Sequence, residues 1–391
     1  MDVAVVDPSG FTPPYDHHFC GGLASQSCRV TLFTSGEWNE WDAKSYARDQ
    51  HFYARTERLP APVSDSGLQP AIKGIEHVHD MNRLLVRLRR RDPDIIHFQW
   101  LPVPAIDAAY VRVLRRIAPT VLTVHDSNPF HGEPTSRLQL AGAQLAPRAF
   151  DHLVAHTEAT RRNLLEQGVS DSALSVIPHG ILRYSERTEQ RNVRGPDVRR
   201  DSSRCQEDIH VLFFGTLKPY KGLDVLLEAF AELPGDVRDS ARLRIAGKPM
   251  MDITHLRTMA ADLDVEDSVD WEVGFVPHEA VPSLFEWADV VVFPYREIDQ
   301  SGALMTAIPF GTPIVASAVG GFDEVLTDGR HGRLVPPEDP QALSTALSSI
   351  ISNPDQRAMM GEAVRELVET TYSWDEIGRS YIELYERLLG S

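Results

Sequence analysis

The chain has 391 residues, of which 42% are hydrophobic and 24% charged, a globular composition that excludes disorder as the main state. Acidic residues outnumber basic ones 56 to 39, and the net charge of -17 excludes a general nucleic-acid binder, which would lean basic. The length leaves room for two or three domains of roughly 100–200 residues, and no collagen-like period or solenoid repeat is present.

The chain opens on a strand-like run, Val3-Ala4-Val5-Val6, with no basic or cleavable apolar leader before it. No later run approaches the ~18 apolar residues that span a bilayer. Cys20, Cys28 and Cys205 form no CxxC pair, and their odd number argues against a disulfide framework. The expectation is a reduced, cytosolic protein.

In the first half, short apolar runs at 3–7, 30–33, 95–98, 120–125, 152–156 and 175–177 read as strands. Most are continuously apolar, which suits a parallel sheet buried on both faces. Helical patterns at 81–91 and 105–116 lie between them, giving the β-α-β rhythm of a doubly wound domain. Residues 183–208 then lose all apolar periodicity and read as a linker or long surface loop. The rhythm restarts with strands at 211–214, 243–246, 269–272, 290–293, 314–316 and 333–335. A helix over 221–232 places Leu223, Leu226, Leu227 and Phe230 on one face. The last helix, at 373–389, carries Ile377, Tyr381, Leu384, Tyr385 and Leu388 on one side, an apolar surface that another element must cover. The domain reading is 1–178, a linker at 179–208, a second domain at 209–372 and a C-terminal helix at 373–391 that returns to the first domain. Small-molecule sites in such folds lie at the carboxyl ends of strands, so a cleft between the domains is the expected site.

Two loops carry the chemistry. In Phe214-Gly215-Thr216-Leu217-Lys218-Pro219-Tyr220-Lys221-Gly222 a strand ends at a glycine, and two lysines precede a helix. Glycine admits close backbone approach, and a helix start offers free amides to an anion. The chain has only five lysines (Lys44, Lys73, Lys218, Lys221, Lys248), so two in one loop weigh against the plain alternative of a solvated turn. The second loop, Phe293 to Gly302, sets Glu297, Asp299 and Gln300 before a Ser301 N-cap, with the amides of Gly302 and Ala303 open to a phosphate. A capped helix in an ordinary βα loop is its plain alternative.

At this point the sequence resembles the retaining glycosyltransferases of family four, which have the two-domain GT-B fold. The matching stretches in the second half are FFGTLKPYKGLDVLLEAF, LRIAGKP, VPSLFEWADVVVFPYRE, QSGALMTAIPFGTPIVASAVGGFDEVLTDGRHGRLVPPEDP and YSWDEIGRSYIELYERLL. In the first half they are PSGFTPPYDHHF, DPDIIHFQW, APTVLTVHD and SVIPHGI. The resemblance implies two Rossmann-like doubly wound domains facing a cleft. It implies transfer of a sugar from a nucleoside-diphosphate sugar to an acceptor hydroxyl with retention of configuration. The acceptor would be a glycan, a lipid-linked sugar or a small molecule, and no cofactor is needed beyond the nucleotide sugar itself.

By this resemblance Lys221 contacts the donor diphosphate together with the amides of Gly302 and Ala303. The family usually has an arginine at the position of Thr216, and Lys218 is the substitute cation. The family's paired glutamates fall on Ile298 and Thr306, so Glu297, displaced by one position, Asp299 or Gln300 would take the first role, and the ribose contacts must differ. Gly247, Lys248, Gly274 and Val276 belong to the loops that would read the base. His125 resembles the histidine near the reacting sugar carbon, Asp126 either orients it or touches the acceptor, and Gly10 lets donor and acceptor approach the backbone. A structural strand-end histidine and a plain turn are the alternatives for His125 and Gly10.

Lysines and helix amides stabilise a leaving diphosphate without a metal. The two DxD matches, Asp92-Pro93-Asp94 and Asp262-Leu263-Asp264, lie before a strand and at a helix end, and no His/Cys cluster has zinc spacing. If configuration is retained, the leaving phosphate oxygen serves as the base, while Glu297 as a separate nucleophile is the less supported course. A basic helix at 81–92, with Arg83, Arg87, Arg89, Arg90 and Arg91, reads either as a solvated helix on the sheet or as a peripheral contact with an anionic inner membrane face. The alternative functions are a nucleotide-sugar-binding protein without transferase activity, favoured by Thr306, and a GT-B epimerase, which would need a matched carboxylate pair.

Overall fold

The computed structural model describes residues 1–36, 41, 43–58, 69–127, 142, 145–184 and 208–390. They form two compact units, one of residues 1–180 with 371–391 and one of residues 181–370. Most of the sequence-predicted linker lies outside the described residues.

The first unit is built on a seven-stranded parallel sheet of order β3-β2-β1-β4-β5-β6-β7. Its strands are β1 (Asp2–Asp7), β2 (Arg29–Ser35), β3 (Ala47–Phe52), β4 (Ile95–Phe98), β5 (Thr120–Val124), β6 (His152–Ala155) and β7 (Leu174–Val176). Sequence reading missed β3. Its residues, ARDQHF, carry no apolar run because an edge strand needs to bury only part of itself. The helix before β4 also begins far earlier than the apolar pattern suggests, spanning Gln69–Arg91. Its early turns are buried through polar groups instead: Glu76 accepts from the amides of Arg55 and Thr56, Asp80 from that of Tyr53, and His77 meets Asp107 at 2.6 Å.

Leu84 and Leu88 of this helix are fully buried in the sheet's core. Arg83, Arg87 and Arg91 pair with Asp80, Asp49 and Asp2. The leucines are therefore spent on the sheet, and three of the arginines are neutralised locally. Among the described residues no helix is long and apolar enough to cross a membrane.

The C-terminal helix Trp374–Leu389 packs against the Pro13–Ser25 helix, as its apolar stripe requires. The two approach closely where glycines meet: a methyl on Gly22 would stand 2.7 Å from the Trp374 carbonyl oxygen, and one on Gly378 would strike Gly22. Under this pair the sheet face carries buried polar groups among its apolar residues. His97 bonds Tyr385 at 2.5 Å and Thr123 at 2.7 Å, so burial of the helix satisfies a buried imidazole.

The second unit has a six-stranded parallel sheet of order β10-β9-β8-β11-β12-β13. Its strands are β8 (Ile209–Phe214), β9 (Ala241–Gly247), β10 (Val269–Val273), β11 (Val290–Phe293), β12 (Ile314–Ser317) and β13 (Gly332–Val335). All six were expected from the apolar runs. In each sheet the order reverses direction between its first strand and the fourth, at β1/β4 and β8/β11, and such switch points are where α/β sheets bind ligands.

Candidate functional site

In the second unit both loops with phosphate-binding character leave the switch-point strands. After β8 the chain passes through Gly215, a turn at Pro219–Lys221 and Gly222, and the helix proper starts at Leu223 rather than at Lys221. Lys221 is therefore the last residue of the turn, and its side chain bends inward.

Lys221 is only 7% exposed. A methyl placed on Gly215 would stand 2.9 Å from its Nζ, so glycine there leaves room for the ammonium. Its Nζ lies 4.9 Å from the centre of the Tyr295 ring. Among the described residues no carboxylate pairs with it, and burial, with Lys218 adding repulsion, lowers its pKa to about 7. A buried cation without a counter-charge is costly unless something anionic completes it. Among the described residues the hydroxyl of the neighbouring Tyr295 lacks a hydrogen-bond partner, as does the buried Gln300 Oε1 of the loop after β11.

The loop is held by Arg296. Its guanidinium grips Asp224 with two bonds of 3.0 and 2.7 Å, reaches Glu338 at 2.9 Å and donates to the Pro219 carbonyl at 2.9 Å. Its own amide donates to the Tyr220 carbonyl at 2.8 Å. These contacts join the loop after β11 to the lysine turn after β8. The loop after β9 packs on the same turn: the Leu217 amide donates to Lys248, and a side chain at Gly247, whose φ is +150°, would strike the Gly215 carbonyl.

After β11, Ser301 caps the helix Gly302–Ala307, its Oγ accepting from the Leu304 amide at 3.2 Å. Gly302 is exposed and Ala303 half-buried, while Thr306 is buried with its hydroxyl donating to the Gly302 carbonyl at 2.8 Å. Glu297, Thr216 and Lys248 are exposed, and Lys218, Val276, Asp299 and Gln300 are half-buried. All stand at the carboxyl ends of β8 to β11.

In the first unit the carboxyl ends carry histidines. His125 follows β5 directly, stacked on Trp100 with ring centres 4.7 Å apart and met edge-on by Tyr15 at 4.6 Å. His156 and His179 follow within the same cluster. Burial lowers the pKa of His156 to about 4 and, with His156 as neighbour, that of His179 to about 3; His125 is lowered in the same way. Asp126 is half-buried beside it, and Gly10 turns at a φ of +56° after β1. Among the described residues no three His, Cys, Asp or Glu side chains stand close enough to hold a metal ion.

Residues 15–181 match the model of Glycosyltransferase Family 4, and residues 196–367 match that of Glycosyl transferases group 1. The chain belongs to the family-four glycosyltransferases. Its relatives include a D-inositol 3-phosphate glycosyltransferase of Corynebacterium urealyticum, 30% identical over 266 residues, which are 66% of this chain and 61% of that one. An uncharacterized glycosyltransferase, MJ1069, of Methanocaldococcus jannaschii is 25% identical across 61% of this chain and 59% of its own length. The matches thus span about three fifths of these curated relatives. The fold is that of Anabaena HepE in complex with UDP, with a TM-score of 0.71 at 17% identity over 99% of this chain and 100% of that one. A sucrose-phosphate synthase from Thermosynechococcus elongatus superposes with a TM-score of 0.73 at 19% identity, over 100% and 99% of the two chains. Two parallel-sheet Rossmann-like units are thus the GT-B architecture expected of this family member.

In this family member, sequence reasoning missed Arg296, Asp224 and Glu338. Arg296 stands inside the quoted stretch VPSLFEWADVVVFPYRE, but its partners are 72 and 42 positions away, so no local pattern reveals the clamp. Gln99, inside DIIHFQW, was also passed over; a polar residue directly after an apolar strand was the available signal.

Proposed function

We propose that this chain transfers a glycosyl group from a nucleoside-diphosphate sugar to an acceptor hydroxyl with retention of configuration. The observation that carries the reading is Lys221: a nearly buried ammonium, without a carboxylate partner among the described residues, beside a glycine that admits close approach. A diphosphate supplies the missing charge, and as the bond to the sugar breaks the negative charge grows on the leaving oxygen, where a preorganised cation acts best. The amides of Gly302 and Ala303 would add to this, with Gly215, Thr216 and Lys218 lining the turn.

The names of similar proteins support the donor class. One relative, from Mycolicibacterium smegmatis, is a GDP-mannose-dependent mannosyltransferase, and HepE has been solved with UDP-glucose. Family membership supports retention. On this reading the bond from the anomeric carbon to the phosphate oxygen breaks, the bond to the acceptor oxygen forms on the same face, and the acceptor proton passes to the leaving phosphate. Nothing in that step asks for a metal or a protein nucleophile, so Glu297, Asp299 and Gln300 are assigned to hydroxyl binding. Thr306 is tied to its own helix, and the ribose contacts are assigned elsewhere. Gly247, Lys248 and Val276 would rim the base, His125 would hydrogen-bond a sugar hydroxyl with Asp126 next to it in the chain, and Gly10 would admit close approach to the backbone after β1. The acceptor is a hydroxyl-bearing glycan, lipid-linked sugar or small molecule.

A thermal-shift panel of nucleoside diphosphates and nucleotide sugars tests the reading. Ligand that binds only the native chain raises the midpoint with concentration. A shift with one base that survives a chelator is expected, and Lys221→Ala should abolish it while the melting curve stays cooperative. No shift with any nucleotide would overturn the reading.

A further inference from the structure

His125 and its neighbours sit on a strip of sheet whose register is fixed. β4 and β5 run parallel with Phe98 opposite Leu122, which sets Gln99 beside Thr123. Side chains alternate along a strand, so His97 and Gln99 share a face with Thr123 and His125. The bond from His97 to Thr123 confirms that face.

Gln99 is 1% exposed and its Oε1 lies 3.1 Å from His125 Nε2. Among the described residues it is the hydrogen-bond partner of the imidazole. An amide oxygen only accepts, so the ring nitrogen it meets carries the proton. The ring is hemmed in by Trp100, Tyr15 and His156, and burial among other imidazoles keeps it neutral, so its other nitrogen holds a lone pair. Among the described residues the Gln99 Nε2 finds no partner, so the bond to His125 is the one side-chain contact that bears on how the amide is turned.

We propose that Gln99 is a positioning residue that holds His125 as the Nε2–H tautomer, so that His125 meets its substrate through Nδ1 as a hydrogen-bond acceptor. This rests on the transferase reading of His125. The group it recognises is then an O–H, a sugar or acceptor hydroxyl, and not a phosphate or carbonyl oxygen, which would bring only lone pairs.

The test is nitrogen NMR of the full chain labelled with 15N-histidine, with the His125 signals assigned by their loss in His125→Gln. The wild type should show a protonated Nε2 and a bare Nδ1. Gln99→Leu should give a mixture of tautomers and slow nucleoside-diphosphate release from UDP-glucose or GDP-mannose, whichever stabilises the chain, by about tenfold. Gln99→Glu, which still accepts, should restore the Nε2–H form. A protonated Nδ1 in the wild type overturns the proposal whether or not Gln99→Leu folds, and so does an unchanged tautomer in Gln99→Leu. Mixed tautomers with unchanged release would remove Gln99 and His125 from the reaction. Absence of release from the wild type, with the tautomer as proposed, would sink the transferase reading alone.

Discussion

Raising the pH from 7 to 9 should weaken nucleoside-diphosphate binding by up to about 50-fold through one residue, Lys221. Burial lowers its ammonium from the ordinary 10.5 to about 7 in the free chain. A bound diphosphate favours the charged form, so the pKa rises in the complex and binding takes up a proton above neutrality. Each unit of pH above the free value then costs about tenfold until the pKa of the complex is reached. Below pH 7 the curve flattens, because the lysine is already charged.

Calorimetric titration of UDP or GDP in buffers of different ionisation heat counts the proton directly. About one proton should enter per ligand near pH 9, and Lys221→Met should bind weakly at every pH with this slope gone. A flat wild-type affinity from pH 7 to 9, or the same slope in Lys221→Met, refutes the reasoning. The free protein carries the opposite sign. Since the folded pKa is the lower one, the unfolded chain holds more protons between about 7 and 10.5, and this residue's contribution to stability rises with pH across that window. At pH 7 and below the charged form is penalised, so Lys221→Met should melt higher than the wild type there and lose the advantage towards pH 10.

Arg296→Ala removes both bonds to Asp224 and the one to the Pro219 carbonyl, so diphosphate affinity should fall about tenfold while Tm moves only a few degrees, since the ion pairs are part-exposed; equal affinity would show that the lysine turn needs no clamp. Gly247→Ala drives a methyl into the Gly215 carbonyl at a φ of +150° and should cost about 2 kcal/mol or more in urea unfolding. A neutral result there would mean that the β8 and β9 loops do not pack as described. Tyr385→Phe takes the 2.5 Å partner from a fully buried His97 and should cost about 1–3 kcal/mol, read by the same urea titration.

Elements buried on both faces were legible in the sequence, and elements held by polar contacts were not. The β8 and β11 runs, VLFF and VVVF, have no other use than the middle of a parallel sheet, and they lie where the apolar pattern put them. β3 and the start of the Gln69–Arg91 helix carry little such signal. The helix start is held through Glu76, His77 and Asp80, whose partners at Arg55, Thr56, Asp107 and Tyr53 lie 20 to 30 positions away, and β3 meets the helix through His51 on the Asp80 carbonyl. A buried polar network writes no period into the sequence, because each member answers to one distant partner rather than to a face.

The same division runs through the candidate site. Lys221 stood out because lysine is scarce and glycines flank its loop, both local facts. Its environment is not local: the inward turn depends on Arg296 and Asp224, and on Gly247 giving way to the Gly215 carbonyl. Those contacts hold a cation in a place where, without an anion, it is unfavourable. If packing alone had shaped this loop, an apolar residue at 221 would serve it better, and Arg296 would brace nothing that needed bracing. Among the described residues this buried lysine has no counter-charge, and on the proposed reading the clamp holds one half of an interaction whose other half arrives with the substrate.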